Sequence, residues 1–367
     1  MSQEEMNLKT ETLMNADQKE TDLYKCPSCG NDMKFSPETQ TLRCDHCGTE
    51  RTFEKDEFLI ERNLQEMLSI NDSWSKEAIV FRCDNCGAKE VLNRSEIAVR
   101  CPYCGATNIV ETDELSGHKP DGVLPFSVSK DGALEKFRAW VKKRFFVPKK
   151  CKKNLDVEGV RGVYSPCWTF DTHAVSTYEG RVGKYYTVTV GSGKNRRTER
   201  RIRWYYISGE IERRFDDILI SAGPKANETP VAKVSPFDTN NATVYTNEFL
   251  AGFSANHYEK GVDDAWREAE SIISEQLKRD IKSKHNADVV DYIKQRIKHC
   301  SPSCKYVLLP IWVGAMGYRK NTYNFYVNGN TGKVWGKMPV SPLRVGLVVV
   351  LSLAVVVGLM LLFHYYG

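Results

Sequence analysis

The spacing of apolar residues divides this chain into four kinds of stretch, the first without any rhythm. Residues 1–23 have none: "MSQEEMNLKTETLMNADQKETDL" is polar and acidic, which predicts a solvated, disordered tail and not a signal peptide. From 24 to 112, short apolar runs alternate with cysteine pairs. Between those pairs, "EFLIERNLQEMLSI" sets Phe58, Leu59, Ile60, Leu64, Met67 and Leu68 at helical intervals. This predicts a linker helix within 54–79, packing small units at 24–53 and 80–112.

The third rhythm is helix followed by strands, and it occurs twice. "SKDGALEKFRAWVKKRFF" lines up Ala133, Leu134, Phe137, Trp140, Val141 and Phe145, with Ser129 or Asp131 as cap. Strand-like runs follow in "GVYSPCWTFDTHAVSTYEG", "KYYTVTV" and "RIRWYYISGEI". The last two flank "GSGKNRRTER", which predicts a hairpin with a long basic loop. A second helix, "VDDAWREAESIISEQLKRDIK", lines up Val262, Trp266, Ala269, Ile273, Leu277 and Ile281. Strands return in "KYVLLPIWVGAMGYRK" and "NTYNFYVNGNTGKVWG", with Asn-Gly and Gly-Asn turn signals. "YSPCW" at 164–168 and "LLPIW" at 308–312 carry Pro and Trp at equivalent places. The expected fold class is α+β, with two related halves, 122–248 and 249–341. Each half is a helix on a curled antiparallel sheet.

The fourth rhythm is unbroken. Residues 345–363, "VGLVVVLSLAVVVGLMLLF", hold no charge and one polar side chain, Ser352. As a helix they span about 28 Å, the thickness of a bilayer core. A buried core helix is the blander reading, but length and uniformity favour a transmembrane helix. Lys333, Lys337 and Arg344 precede it, and Tyr365 and Tyr366 suit the interface beyond it. The positive-inside rule then gives a single-pass, tail-anchored cell-membrane protein with its N-terminal part in the cytoplasm.

Cysteine spacing adds chemistry. Cys26, Cys29, Cys44 and Cys47 follow C-x2-C-x14-C-x2-C, and Cys83, Cys86, Cys101 and Cys104 repeat it unchanged. Two intervening residues turn both thiolates inward, and Gly30, Gly48, Gly87 and Gly105 each supply the positive φ that ends the turn. The spacer fits a short hairpin, with strands near 33–35 and 41–43, and in the second copy near 91–92 and 98–100. Four thiolates then close a tetrahedron, predicting two zinc ribbons that hold two structural Zn2+ ions. A rubredoxin-like iron site and redox disulfides are the alternatives. Such small units cannot bury enough surface to fold alone, so the metal supplies folding energy. Cys151, Cys167, Cys300 and Cys304 say less; "HCSPSC" at 299–304 lacks a fourth donor.

A net charge of +5 in 367 residues is too small to name a polyanionic partner, so local clusters decide. "KKRFFVPKKCKK" gathers Lys142, Lys143, Arg144, Lys149, Lys150, Lys152 and Lys153 around two phenylalanines. The hairpin loop adds Lys194, Arg196, Arg197, Arg200, Arg201 and Arg203 beside Trp204, Tyr205 and Tyr206. Anionic lipid headgroups and single-stranded nucleic acid both fit such clusters, as does a plain solvated loop. No catalytic constellation is present: neither "GSGKNRRT" nor "GNTGKVWGK" satisfies the phosphate-loop pattern, and no H-E-x-x-H or G-x-S-x-G occurs. An enzyme is therefore not expected.

The paired CPxCG knuckles, "VLPFSVSKDGALEKFRAWVKKRFF", "YSPCWTFD", "FLAGFSANHYEKGVDDAWREAE", "LLPIWVGAMGYRKNTYNFYVNGNTGKVWGKMPVS" and the closing apolar helix resemble the bacterial TFIIB-type zinc-ribbon membrane proteins, across nearly all of 24–363. Members are often labelled as relatives of the primosomal replication-restart helicase. That activity needs an ATP-cradling loop, which this sequence lacks. The resemblance implies a bacterial origin and a membrane setting. Together these readings predict a tail-anchored, zinc-binding, non-enzymatic module that engages a protein partner at the membrane. The alternative is a nucleic-acid-binding zinc-ribbon protein serving replication or transcription.

Overall fold

The computed structural model describes residues 24–55, 59–69, 79–83, 89–92, 109–112, 118–153, 157–193, 196–223, 231–319 and 321–366. The acidic tail, Phe58, Cys86, Cys101, Cys104 and Lys194 lie outside them.

Around the first four cysteines β1 (Met33–Ser36) and β2 (Thr41–Cys44) pair antiparallel, and β3 (Glu50–Arg51) adds to β2. Met33 faces Cys44 and Phe35 faces Leu42 across the ladder. All four are buried, so one face of this small sheet is a core face. β4 (Arg62–Asn63) leads into α1 (Leu64–Ser69), where Leu64 and Met67 are buried. The linker helix is therefore shorter than its apolar spacing predicts. Ile60 is exposed, and Arg62 and Asn63 are drawn into the main sheet by backbone pairing. Further on, β5 (Ile79–Cys83) lies between β6 (Lys89–Leu92) and β7 (Ile109–Thr112), and β6 joins the main sheet through the pairing of Val91 with Ala255 and Glu90 with Asn256. The strand expected at 91–92 falls in β6; that at 98–100 lies outside the described residues.

β8 (Gly122–Val123) precedes α2 (Lys130–Lys143), whose N-cap is Ser129, with the Gly132 amide donating to its Oγ. Ala133, Phe137 and Val141 form its buried stripe. Phe145, expected on that stripe, lies beyond the helix end and is exposed. α3 (Lys149–Lys153) follows, then β9 (Val157–Val190) and β10 (Arg197–Ser221). Next come α4 (Val231–Val234), β11 (Thr243–Val244) and β12 (Ser254–Asn256). α5 (Val262–Lys284) buries Val262, Ala265, Ala269, Ile273, Leu277 and Ile281, a stripe of helical period. The chain then forms β13 (Val289–Tyr318), β14 (Asn321–Asn328), β15 (Val334–Gly336) and α6 (Pro342–Tyr366).

β9 and β13 make one long antiparallel ladder at the centre of the molecule. β10 lines the other edge of β9, and β14 and then β15 extend beyond β13. The two expected halves thus share one sheet: the border at 248/249 divides the sequence but not the core. The reason is burial on both faces. Between 162 and 170 every residue is buried, because Tyr164, Trp168 and Phe170 enter the main aromatic core on one face while Val163 and Cys167 meet a second apolar layer containing Val231, Val234 and Leu309 on the other. Further along β9 burial alternates, with Ala174, Tyr178 and Val182 covered and the opposite face open to solvent.

The two x-Pro-x-Trp motifs occupy matching places. Pro166 pairs with Leu308, Ser165 with Leu309 and Tyr164 with Pro310. β12 runs parallel to β9 at Val163 and Tyr164, and β8 runs parallel to β13 at Val307 and Leu308. Ala222 donates to the Pro166 carbonyl and its own carbonyl accepts from Glu259 and Lys260; Gly329 does the same between Pro310 and the pair Ser127 and Val128. Finally the Trp168 indole donates to the Lys260 carbonyl at 2.9 Å, and the Trp312 indole to the Val128 carbonyl at 2.8 Å.

Candidate metal centre

The first cysteine group builds its site from two equivalent turns. In one, Gly30 donates to the Cys26 carbonyl and Cys26 to the Asn31 carbonyl; in the other, Gly48 donates to Cys44 and Cys44 to Thr49. Gly30 and Gly48 have φ of 73° and 75°, the left-handed turn that their position after each pair predicts. β1 and β2 carry the second turn back onto the first. The Sγ atoms of Cys26 and Cys47 lie 3.4 Å apart, and those of Cys29 and Cys44 3.5 Å. All four lie within 4.8 Å of one another. A disulfide requires about 2.05 Å, whereas a tetrahedral zinc–thiolate cage sets its sulfurs about 3.8 Å apart. The donor set fits a closed four-sulfur cation site. With no open position, it suits a structural ion.

Electrostatics point the same way. Burial pushes the Cys26 thiol up, but backbone N–H groups of Ser28 and Cys29 and the adjoining thiols outweigh it and lower it to about 6. Cys47 is lowered by Thr49, through its side chain and its backbone N–H. The Asn31 backbone N–H favours the Cys29 thiolate, yet desolvation and its sulfur neighbours drive Cys29 up to about 12. Crowded thiols cannot all ionise alone; a divalent cation removes that conflict.

This cysteine group is docked on the main sheet. The Phe35 amide donates to the Ala251 carbonyl at 2.9 Å, and Gln40 Nε2 to the Phe126 carbonyl at 2.7 Å. Phe35 packs on Phe249 with ring centres 5.2 Å apart, and Phe53 meets the same ring at 5.1 Å. Cys26 and Cys44 therefore belong to one apolar core with Phe126, Tyr164 and Trp168.

Of the second set, Cys83 ends β5; Cys86, Cys101 and Cys104 lie outside the described residues. Cys300 and Cys304 do not converge with His299 into a donor group among the described residues. Cys304 is wholly buried and burial pushes its thiol up to about 12, which leaves it inert.

The structure separates the two basic clusters. Lys149, Lys150, Lys152 and Lys153 form α3, just before β9 begins. Arg197, Arg200, Arg201 and Arg203 stand on β10, opposite the far end of β9. The expected long basic loop is shorter than predicted, since the turn spans only 191–196 and pairing resumes at Arg197. The 34 residues of β9, about 110 Å of contour at about 3.3 Å each, run between the two clusters, which stand at opposite ends of that strand. At the β10 end, Arg200 stacks on Tyr185 at 3.6 Å and Arg181 lies over Trp204 at 5.2 Å. Glu199 pairs with both Arg197 and Arg201, and Asp291 with Arg181.

One group escaped the sequence pattern. Asp171, Asp216 and Asp217 bring carboxylate oxygens within 4.8 Å of one another. A bulge between Phe215 and Ile218 turns β10 so that the Asp217 amide donates to Asp171. Lys305 Nζ stands 3.2 Å from Asp217, 3.1 Å from Glu61 and 3.8 Å from Asp171. The ammonium supplies the counter-charge that these acids need, so the cluster reads as a partly buried ion-pair network. The adjacent Asp-Asp at 216–217 is its only sequence trace.

α6 is long and apolar enough to cross a membrane: the span Pro342–Leu361 has mean hydropathy 2.6 and none of it is buried against the rest of the chain.

No family model and no solved structure matches the chain. It is 29% identical over 329 residues to "Uncharacterized protein YdjG" of Bacillus subtilis (strain 168), covering 87% of this chain and 90% of that one.

Proposed function

We propose that the chain is a membrane-anchored, non-enzymatic zinc protein that offers a protein-binding surface on the cytoplasmic side. One observation carries this reading: a closed four-cysteine cage sits in the same core as a sheet whose chain continues into an apolar, uncovered helix. The first feature favours a structural ion over chemistry, and the second favours a bilayer as the missing cover. The repeated spacing at Cys83, Cys86, Cys101 and Cys104 supports a second ribbon of the same TFIIB type and a second zinc ion. Lys333 and Lys337 before the helix and Arg344 in its first turn support a membrane anchor with the sheet on the cytoplasmic side. The matched bonds around Pro166 and Pro310 support a doubled helix-and-strand unit.

The test is elemental analysis of the purified full-length chain together with vesicle flotation. Two tightly held zinc ions per chain and flotation that survives alkaline extraction support the reading. Fewer than one ion, or release into buffer, would overturn it, as would nucleotide turnover by the pure protein.

The cation–aromatic contacts near the turn of β9 and β10 favour a second reading, single-stranded nucleic-acid binding. An affinity falling steeply with salt, and weakened by Arg200→Ala with Arg203→Ala, supports it; no binding at low salt removes it.

A further inference from the structure

Residues 142–153 carry seven cations and no acid. Among the described residues none of these cations takes part in an ion pair, in contrast to the partly neutralised arginines of β10. Lys142, Lys143 and Arg144 close α2, and Lys149, Lys150 and Lys153 stand exposed on α3. Between them Phe145 is 54% exposed and Phe146 43%, packed edge to face at 5.4 Å. Two half-exposed aromatic rings amid cations that form no ion pair are costly in water and are the composition of a membrane interface.

The root of the apolar helix fixes where this segment stands. Ser341 caps α6, accepting from the Arg344 and Val345 amides, while its own amide donates to the Phe146 carbonyl at 2.8 Å. Arg344, in the first turn of α6, sends Nη1 to the Phe145 carbonyl and to the Val147 carbonyl at 3.0 Å. Its guanidinium also covers the Phe145 ring at 5.5 Å. The segment is therefore bonded by three backbone carbonyls to the residues at which the helix would enter the bilayer.

We propose that residues 142–153 form a collar that docks on anionic phospholipid headgroups, with Phe145 and Phe146 set into the interface. This rests on the membrane-anchor reading. The collar holds the sheet at a fixed attitude to the membrane, where a bare anchor after a flexible linker would let it tumble. The far end of β9 and β10 is thereby directed away from the lipid.

The test is lysine acetylation of the full-length chain in vesicles, read by mass spectrometry. Vesicles of phosphatidylcholine alone are compared with vesicles holding about 30 mol% phosphatidylglycerol. Lys149, Lys150 and Lys153 are expected to label at least about threefold more slowly in the anionic vesicles, and about 0.5 M salt should restore the rate. Lys294, exposed on the distal sheet, serves as the unprotected control. Equal labelling in both vesicles by a protein that floats with both overturns the collar and leaves the anchor standing. Failure to float with either removes the anchor and the collar with it. Protection by a single-stranded oligonucleotide but not by anionic vesicles also overturns it, in favour of nucleic acid.

Discussion

Ser165 and Leu309 face each other as direct partners on the central ladder, and the two x-Pro-x-Trp motifs run outward from that pair in opposite directions. Each motif ends in a tryptophan whose indole reaches the turn before the other half's helix, Trp168 to Lys260 and Trp312 to Val128. The halves are thus latched to each other reciprocally.

That reciprocity predicts matched losses. Trp168→Phe and Trp312→Phe each leave a covered carbonyl without its donor and should each destabilise the chain by about 1–3 kcal/mol. Urea denaturation checks this. A large effect at one latch and none at the other would show that the matching bonds are not energetically equivalent.

The docking of the first cysteine group on the main sheet predicts coupling between its cation site and the sheet. Phe35→Ala removes a ring that meets Phe249 and Phe253 and should cost about 3–5 kcal/mol. Cys44→Ser should abolish metal binding at the first cysteine group and also lower the melting temperature of the sheet, because Cys44 shares its core. Calorimetry distinguishes one shifted transition from an unchanged main transition with a lost minor one.

The ion-pair network predicts a pH dependence. Burial raises the Asp171 carboxyl to about 7, from a usual 3.8, and the Asp217 amide offsets this only in part. A carboxyl raised in the folded state holds its proton more tightly there, so stability from this group falls as pH rises from about 4 to about 7. Asp171→Asn should gain on the parent chain by about 1–3 kcal/mol across that window. Lys305→Met, which strips the counter-charge from Glu61, Asp171 and Asp217, should cost about 1–2 kcal/mol at neutral pH, less than for a fully buried pair because Glu61 is open to solvent. Denaturation at the two pH values measures both.

The apolar helix predicts sensitivity at its middle. Leu353→Arg should oppose insertion by about 3 kcal/mol, and Leu343→Arg, at the helix start, by much less. Alkaline extraction of membranes reads the difference.

The apolar stripes of α2 and α5 were legible in the sequence because helical period is local: Ala133, Phe137 and Val141 announce themselves, as do Ala269, Ile273 and Leu277. The same holds for the first cysteine cage, where spacing and trailing glycines fix the turns without help from the rest of the chain. Phe145 misled the pattern, since its apolar side chain serves a surface beyond the helix end. The linker misled it too, because backbone pairing to β13 overrode helical spacing at Arg62 and Asn63. The meeting of Asp171, Asp217 and Lys305 left almost no trace, as it depends on a bulge and on three strands far apart in sequence.

By itself the sequence determined the sulfur donors of the first cage, the helical stripes and the closing apolar run, all set by spacing within a few turns of chain. Only the tertiary structure decided that β9 and β13 join both halves in one sheet, that the first cysteine group packs into that core, and that the two basic clusters stand at opposite ends of it. Those outcomes depend on burial against distant partners, and local patterning carries no record of which distant surface a buried face will meet.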